Sequence, residues 1–284
     1  ALMSRGLGDV YKRQIIADEN IPEAQKIKKI SIKKNINLSL IHNETNGIKL
    51  ISHRFENEKQ ILEIKLKKAK YKIHLNLIGK IQVKNILMAI IAANNSGIEF
   101  KKILKILPRI TSVEGRLEKI GKIHNNSKVI LDYAHTPAAL ESALSNLKEQ
   151  FPFNKINLIF GCGGDRDFKK RSLMGKIAEK YSNEIYLTDD NPRNEKPFEI
   201  RNEIKKGIKN KSIHEIPDRK KAIQEAVKNL KTGDILLVAG KGHEKIQDYG
   251  KKRTFFSDQK VILSSIRAKN KFLSKNIKLN ICLL

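Results

Sequence analysis

Tryptophan is absent from the 284 residues, and cysteine occurs only twice, at Cys162 and Cys282. Two thiols cannot build a disulfide framework, so the chain must hold itself by its core, and a reducing compartment, the cytoplasm, is expected. No apolar run approaches the roughly 18 residues of a membrane-spanning helix, and no start resembles a signal peptide; no membrane partner is expected. Acidic residues are scarce, 30 Asp+Glu against 57 Lys+Arg, for a net charge of +27. An excess of that size would suit nucleic acid. The lysines, however, are spread along the chain among many Ile and Asn, as translation of an A/T-rich gene would give, and no motif combines basic residues with aromatics for stacking bases. Most of the charge therefore reads as compositional background, and no nucleic-acid partner is expected. With 40% hydrophobic residues, 16 Gly and 7 Pro, the chain reads as globular, with length for one large or two ordinary domains.

Residues 1–14 (ALMSRGLGDVYKRQ) are aperiodic and share little of the Ile/Lys vocabulary that follows; they read as a non-native leader. From Ile15 to about Tyr71 the chain is β-rich, with runs at Ile36–Leu40, Ile48–His53 and the alternating Ile61–Leu66. Asn85–Ala93 is apolar nearly all round and predicts a buried helix capped by Gly97. A shorter helix is expected from Phe100 to Leu107. After Ser112 the rhythm is regular. Strands are expected at Val129–Tyr133, Ile156–Phe160, Ile185–Thr188 and Ile235–Ala239. Helices are expected from Thr136-Pro137 to about Glu149, and at Ser172–Tyr181, Pro197–Ile208, Arg219–Leu230 and Asp258–Ala268. Such alternation specifies an α/β fold with a mostly parallel, Rossmann-like sheet covered by helices on both faces. Ligands of such sheets bind beyond the carboxyl ends of the strands.

Four polar clusters fall at those ends. Asp132-Tyr133-Ala134-His135-Thr136-Pro137 offers a carboxylate for a ribose and an imidazole for a nucleotide, unless Asp132 merely helps cap the next helix. Gly161-Cys162-Gly163-Gly164-Asp165-Arg166-Asp167 lets backbone approach a ligand while Arg166 presents a planar fork to a carboxylate. It is not a dinucleotide fingerprint, because Arg166 stands where the last glycine of G-x-G-x-x-G would fall. Asp189-Asp190-Asn191-Pro192-Arg193 combines acids suited to an amine with a guanidinium suited to an acid, the mixture that an amino-acid substrate requires. Gly240-Lys241-Gly242-His243-Glu244 adds a glycine turn with a carboxylate. The phosphate-loop spacing G-x-x-x-x-G-K-[ST] occurs nowhere in the chain.

Together with Gly115-Arg116, and in this order, the clusters resemble the Mur ligases of peptidoglycan synthesis, in the form that adds diaminopimelate; the resemblance runs from Ile15 to Ala268. It implies that residues 15–112 are the C-terminal part of a central ATP-binding domain and residues 113–284 a C-terminal Rossmann-like domain that brings in the amino acid. It implies ATP contacts at Asn85, Arg116, Asp132 and His135. It assigns diaminopimelate contacts to Arg166, Asp190, Asn191, Pro192, Arg193, Gly240 and Glu244, with Arg193 selecting diaminopimelate over lysine. In the family reaction ATP, with Mg²⁺, phosphorylates a D-glutamyl carboxylate, and the amine of diaminopimelate displaces phosphate from the acyl phosphate. The expected partners are thus small molecules, ATP, UDP-muramoyl dipeptide and meso-diaminopimelate, and the expected state is a monomer. The family's phosphate loop, metal ligands and carbamylated lysine lie upstream of the matching region. No catalytic residue or metal ligand is therefore assigned here, and a fragment unable to turn over alone is expected. Gln82 stands where the family usually has the first asparagine of an N-x-x-N pair. Outside this family, the same features would suit a nonenzymatic nucleotide-binding Rossmann domain or a basic nucleic-acid-binding module.

Overall fold

The computed structural model describes residues 14–42, 47–56, 58–66 and 68–281, which fall into two compact units, Ala1–Thr111 and Ser112–Leu284. The expected leader lies outside the described residues except for Gln14. That residue opens the first strand and pairs with Asn37, so the strand begins at the last residue of the expected leader.

The first unit holds β1 (Gln14–Asp18), α1 (Ala24–Lys33), β2 (Asn37–Ile41), β3 (Gly47–Glu56), β4 (Lys59–Leu66), β5 (Ala69–Leu75), α2 (Ile81–Asn95) and α3 (Phe100–Ile106). Its sheet runs β1-β2-β3-β4-β5; the first three strands are parallel and the last two antiparallel. Helix α1 was not anticipated, because it lies within a stretch read as β-rich, although Ile27 and Ile30 keep a helical three-residue spacing. Two adjacent parallel strands, β1 and β2, need a crossover between them, and that requirement overrides local preference. Helix α2 corrects the expectation of burial all round. Val83, Ile86, Leu87, Ile90 and Ile91 are buried against Leu62, Ile64 and Leu75 of the sheet, while Lys84, Asn85 and Ala89 face outward.

The second unit contains β6 (Glu118–Lys119), β7 (Lys128–Asp132), α4 (Pro137–Gln150), β8 (Ile156–Phe160), α5 (Lys170–Tyr181), β9 (Glu184–Leu187), α6 (Pro197–Lys205), β10 (Ile213–Glu215), α7 (Arg219–Asn229), β11 (Ile235–Ala239), β12 (Ile246–Asp248), β13 (Arg253–Phe255) and α8 (Asp258–Ile281). The sheet order is β10-β9-β8-β11-β7-β6, parallel except for β6 at one edge; β12 and β13 form a separate hairpin. Every residue of β7, β8 and β11 is buried, as expected of parallel strands covered on both faces. On one face Ile223, Val227, Ile262 and Ile266 of α7 and α8 pack onto Leu131, Leu236 and Val238. The short strands β6, β10, β12 and β13 gave too little sequence for a period. Helix α8 runs past Ala268 because no glycine or proline follows to stop it.

Helices α5 and α6 approach so closely that a Cβ on Gly175 would lie 2.2 Å from the carbonyl oxygen of Ile204. Gly175→Ala should therefore destabilise the second unit, overpacking of about 1–3 kcal/mol outweighing a helix-propensity gain of up to about 1 kcal/mol. A thermal melt no lower than that of the parent would contradict this.

Candidate functional site

Strand β11, late in the chain, lies between β7 and β8, so the sheet changes direction of growth there and leaves a crevice at the strand ends. The turns after β7, β8, β9 and β11 enclose a cavity of about 620 Å³. His135, Arg166, Asp190, Asn191, Arg193, Gly240 and Glu244, expected from the sequence, all line it, as do Tyr133, Cys162 and Lys170. A larger cavity, about 950 Å³, lies in the first unit among α1, β2 and α2, but it holds none of the motif residues. The chemistry identifies the smaller one.

The acidic wall is built on buried charge. Asp190 is only 7% exposed and makes no side-chain hydrogen bond among the described residues; burial pushes its carboxyl above the usual range, against the pull of Arg219 and Lys241. Gly240, at φ +113°, passes so close that a Cβ there would meet Asp190 Oδ2 at 2.6 Å, which requires glycine twice over. Glu244 behaves oppositely. Burial works against its charge, but the Lys241 ammonium, the Asn191 amide and the Tyr133 hydroxyl together hold its carboxyl below the ordinary range. Asn191 Nδ2 donates to Glu244 Oε2 at 2.9 Å. The sequence reading missed Lys241, which is wholly buried between two glycines where it reads as a surface charge. Of the two acids offered to an amine, Asp189 is removed: it pairs with Arg201 and accepts from Tyr249 Oη at 3.3 Å, away from the cavity.

The opposite wall is cationic. Arg193 adopts φ +52° and donates from Nη1 to the Gly164 carbonyl at 2.8 Å, leaving Nε and Nη2 without a hydrogen bond among the described residues. Gly164 N donates to Asn191 O, which ties the turn after β8 to the turn after β9. Arg166 is exposed at the rim and donates to Asp165 O. Arg171, buried on α5, braces this turn through Gly163 O, Glu195 and Glu203. Pro192 does not line the cavity; its carbonyl accepts from Glu195 N and shapes the turn. Cys162 is inert, since burial pushes its thiol up to about 12.

The residues expected at ATP divide between the units. Asn85 is exposed on α2 of the first unit. In the second, the Arg116 guanidinium lies 4.9 Å from the Tyr133 ring centre, and the His135 ring packs edge-on to the same tyrosine at 4.6 Å, its Nδ1 2.8 Å from Tyr133 O. The Asp132 carboxylate is buried, which raises its pKa although it accepts from Leu117 N at 2.7 Å and Ala134 N at 2.8 Å. Both oxygens are engaged by the protein's own backbone, and Thr136, not Asp132, caps α4 by accepting from Ala139 N. Among the described residues no group of three or more His, Cys, Asp or Glu is arranged to hold a metal ion. No helix among them is long and apolar enough to cross a membrane.

Asp190→Asn should raise stability at neutral pH. A carboxyl whose folded pKa is raised adds to stability only below its unfolded value of about 3.9 and loses that contribution as pH rises through the folded value. The gain in unfolding free energy from the neutral amide should thus be full above the folded pKa and vanish toward pH 4. Equal urea stability of variant and parent at pH 8 would contradict it.

The cavity at the switch point of this parallel sheet is thus lined by both acidic and cationic side chains. Residues 115–242 match the family model for the Mur ligase, glutamate ligase domain. UDP-N-acetylmuramoyl-L-alanyl-D-glutamate–2,6-diaminopimelate ligase of Rickettsia felis is 45% identical over 199 residues, 69% of this chain and 37% of that protein. The enzyme of the same name from Buchnera aphidicola subsp. Baizongia pistaciae is 46% identical over 70% of this chain and 39% of its own length. A solved structure of a ligase of that name superposes with a TM-score of 0.67 at 30% identity, covering 90% of this chain and 53% of that one. The MurF ligase of Thermotoga maritima, solved with ADP, shares the fold at 17% identity and a TM-score of 0.59, over 93% of this chain and 55% of its own. The chain belongs to the Mur ligase family, and it spans about two fifths of the length of the curated relatives it matches.

Proposed function

We propose that this chain carries the amino-acid-binding part of an ATP-dependent ligase that joins meso-2,6-diaminopimelate to the D-glutamyl carboxylate of UDP-N-acetylmuramoyl-L-alanyl-D-glutamate in peptidoglycan synthesis, as a cytoplasmic monomer. The observation that carries the reading is the two-walled cavity. Asp190 and Glu244 suit an ammonium group, with Asn191 holding Glu244 in place, while Arg166 and Arg193 offer guanidinium forks for carboxylates. A substrate with one more carboxylate than lysine uses both forks.

In the reaction ATP phosphorylates the D-glutamyl carboxylate and leaves as ADP. The diaminopimelate amine then attacks the acyl carbon, phosphate departs, and the nitrogen loses a proton as the amide forms. This chain's contribution is to hold and orient the amine through the carboxylates of Asp190 and Glu244. Residues 15–112 belong on this reading to the central ATP-binding domain. In the second unit, Arg116 and His135 would contact ATP, and Asp132 would serve it by fixing the turn that carries Tyr133 and His135.

Calorimetric titration of the full chain tests the proposal. Binding of meso-diaminopimelate, weaker binding of L-lysine and none of NAD is the expected result. NAD binding without diaminopimelate binding would replace it with the nonenzymatic Rossmann reading, and salt-sensitive binding of DNA or RNA alone with the nucleic-acid one.

A further inference from the structure

Lys241 is 0% exposed, and each of its three ammonium protons has a partner: Asn191 Oδ1 at 2.9 Å, Glu244 Oε2 at 3.0 Å and the Ile246 carbonyl at 2.7 Å. No proton remains for a ligand. We propose that Lys241 is a positioning residue for the amino-acid substrate, orienting Asn191 and Glu244 and setting the charge of the acidic wall so that it receives one ammonium group. The inference rests on the proposed amino-acid-binding role of the cavity.

Two steps lead to it. Asn191 Oδ1 also accepts from Asp248 N at 3.1 Å, so two donors converge on one end of the amide. Turning the amide over would set its NH₂ against an ammonium and a backbone N–H; Nδ2 is therefore fixed toward Glu244 Oε2, which receives both Asn191 and Lys241. The second step is charge. Glu244 faces Lys241 from its own turn, Tyr133 from the turn after β7, and Asp190 and Asn191 from the turn after β9, while Arg219 of α7 attracts it from farther off. His243 lies beside the Tyr133 ring. Arg219 is already closed in a fully buried pair with Asp258. That leaves Asp190 and Glu244 against Lys241: two negative charges, one positive, and room for one cation. Remove Lys241 and two carboxylates share a dry wall, where like-charge repulsion makes one of them keep a proton.

The role is therefore readable as a proton. The full chain, its Lys241→Met variant and its Glu244→Gln variant would be titrated with meso-diaminopimelate at pH 8 in two buffers of different ionisation heat. The parent should bind with little net proton release. Lys241→Met should bind several-fold more weakly, because the incoming ammonium must displace a proton shared by the two carboxylates, and should release protons that the parent does not. Parent-like affinity, or weaker binding without proton release, overturns the proposal, since a merely structural lysine would give the latter. If Lys241→Met does not fold, the double variant Lys241→Met with Glu244→Gln decides: with the opposing cation gone it should bind more tightly than Glu244→Gln alone, and equal or weaker binding overturns the proposal. A parent chain that binds no diaminopimelate would instead overturn the underlying assignment of the cavity.

Discussion

Replacing Arg219 with methionine should cost about 3–5 kcal/mol of stability, the usual result of stranding one member of a buried ion pair. Arg219 and Asp258 are both wholly buried and meet through two hydrogen bonds, Nε to Oδ1 at 2.8 Å and Nη2 to Oδ2 at 2.7 Å. Nη2 also donates to the Ala239 carbonyl at 2.9 Å, at the end of β11 and directly before Gly240. The pair joins the first turns of α7 and α8 to the floor of the cavity, and its loss leaves Asp258 charged in the core. For a unit of this size the melting temperature should fall by roughly 6–20 °C. The double variant Arg219→Met with Asp258→Leu should recover most of that loss, because no charge remains buried. A single variant that melts with the parent would show that the pair contributes nothing.

Arg193→Ala should weaken diaminopimelate binding by about 1.5–3 kcal/mol, the range for a hydrogen bond to a charged group, or roughly tenfold to 150-fold. Its backbone N–H donates to Asp248 O and its Nη1 to Gly164 O, so the guanidinium is aimed before any ligand arrives. L-lysine, lacking the second carboxylate, should lose far less. Arg193→Lys should recover only part of the loss, since an ammonium lacks the fork. Equal losses for the two amino acids would remove Arg193 from the specificity assignment.

The strands and helices of the second unit were largely legible because its sheet is covered on both faces. Continuous apolar runs such as Ile156–Phe160 and Ile235–Ala239 are bounded by glycine or polar turns. The first unit was less legible. Helix α1 is short and sits among isoleucine-rich strands, and the parallel pairing of β1 with β2 is what requires a crossover there. At the site, residues that present a group to the cavity were recognisable as motif members. What the motifs could not show was which charges are spent on the protein. Asp189 and Asp190 are neighbours with opposite fates, and Asp132 gives both oxygens to backbone amides. Lys241, Arg219 and Arg171 have the composition of surface residues and the burial of core ones. Nothing local in sequence marks a long cation that will be enclosed.

The insertion of β11 between β7 and β8 also fixes an order of events. Neither neighbour can complete its ladder until residues 235–239 have been made, about a hundred residues after β7 ends. At a synthesis rate of about 5–20 residues per second the half-built sheet waits roughly 5–20 s with a strand-wide gap at its centre. The gap is lined by unpaired backbone groups of two strands that are fully buried in the finished sheet. During that interval the growing chain exposes its most adhesive surface, and the strand that ends it also delivers Gly240 and Glu244. Closure of the sheet and assembly of the cavity are thus a single step of biosynthesis.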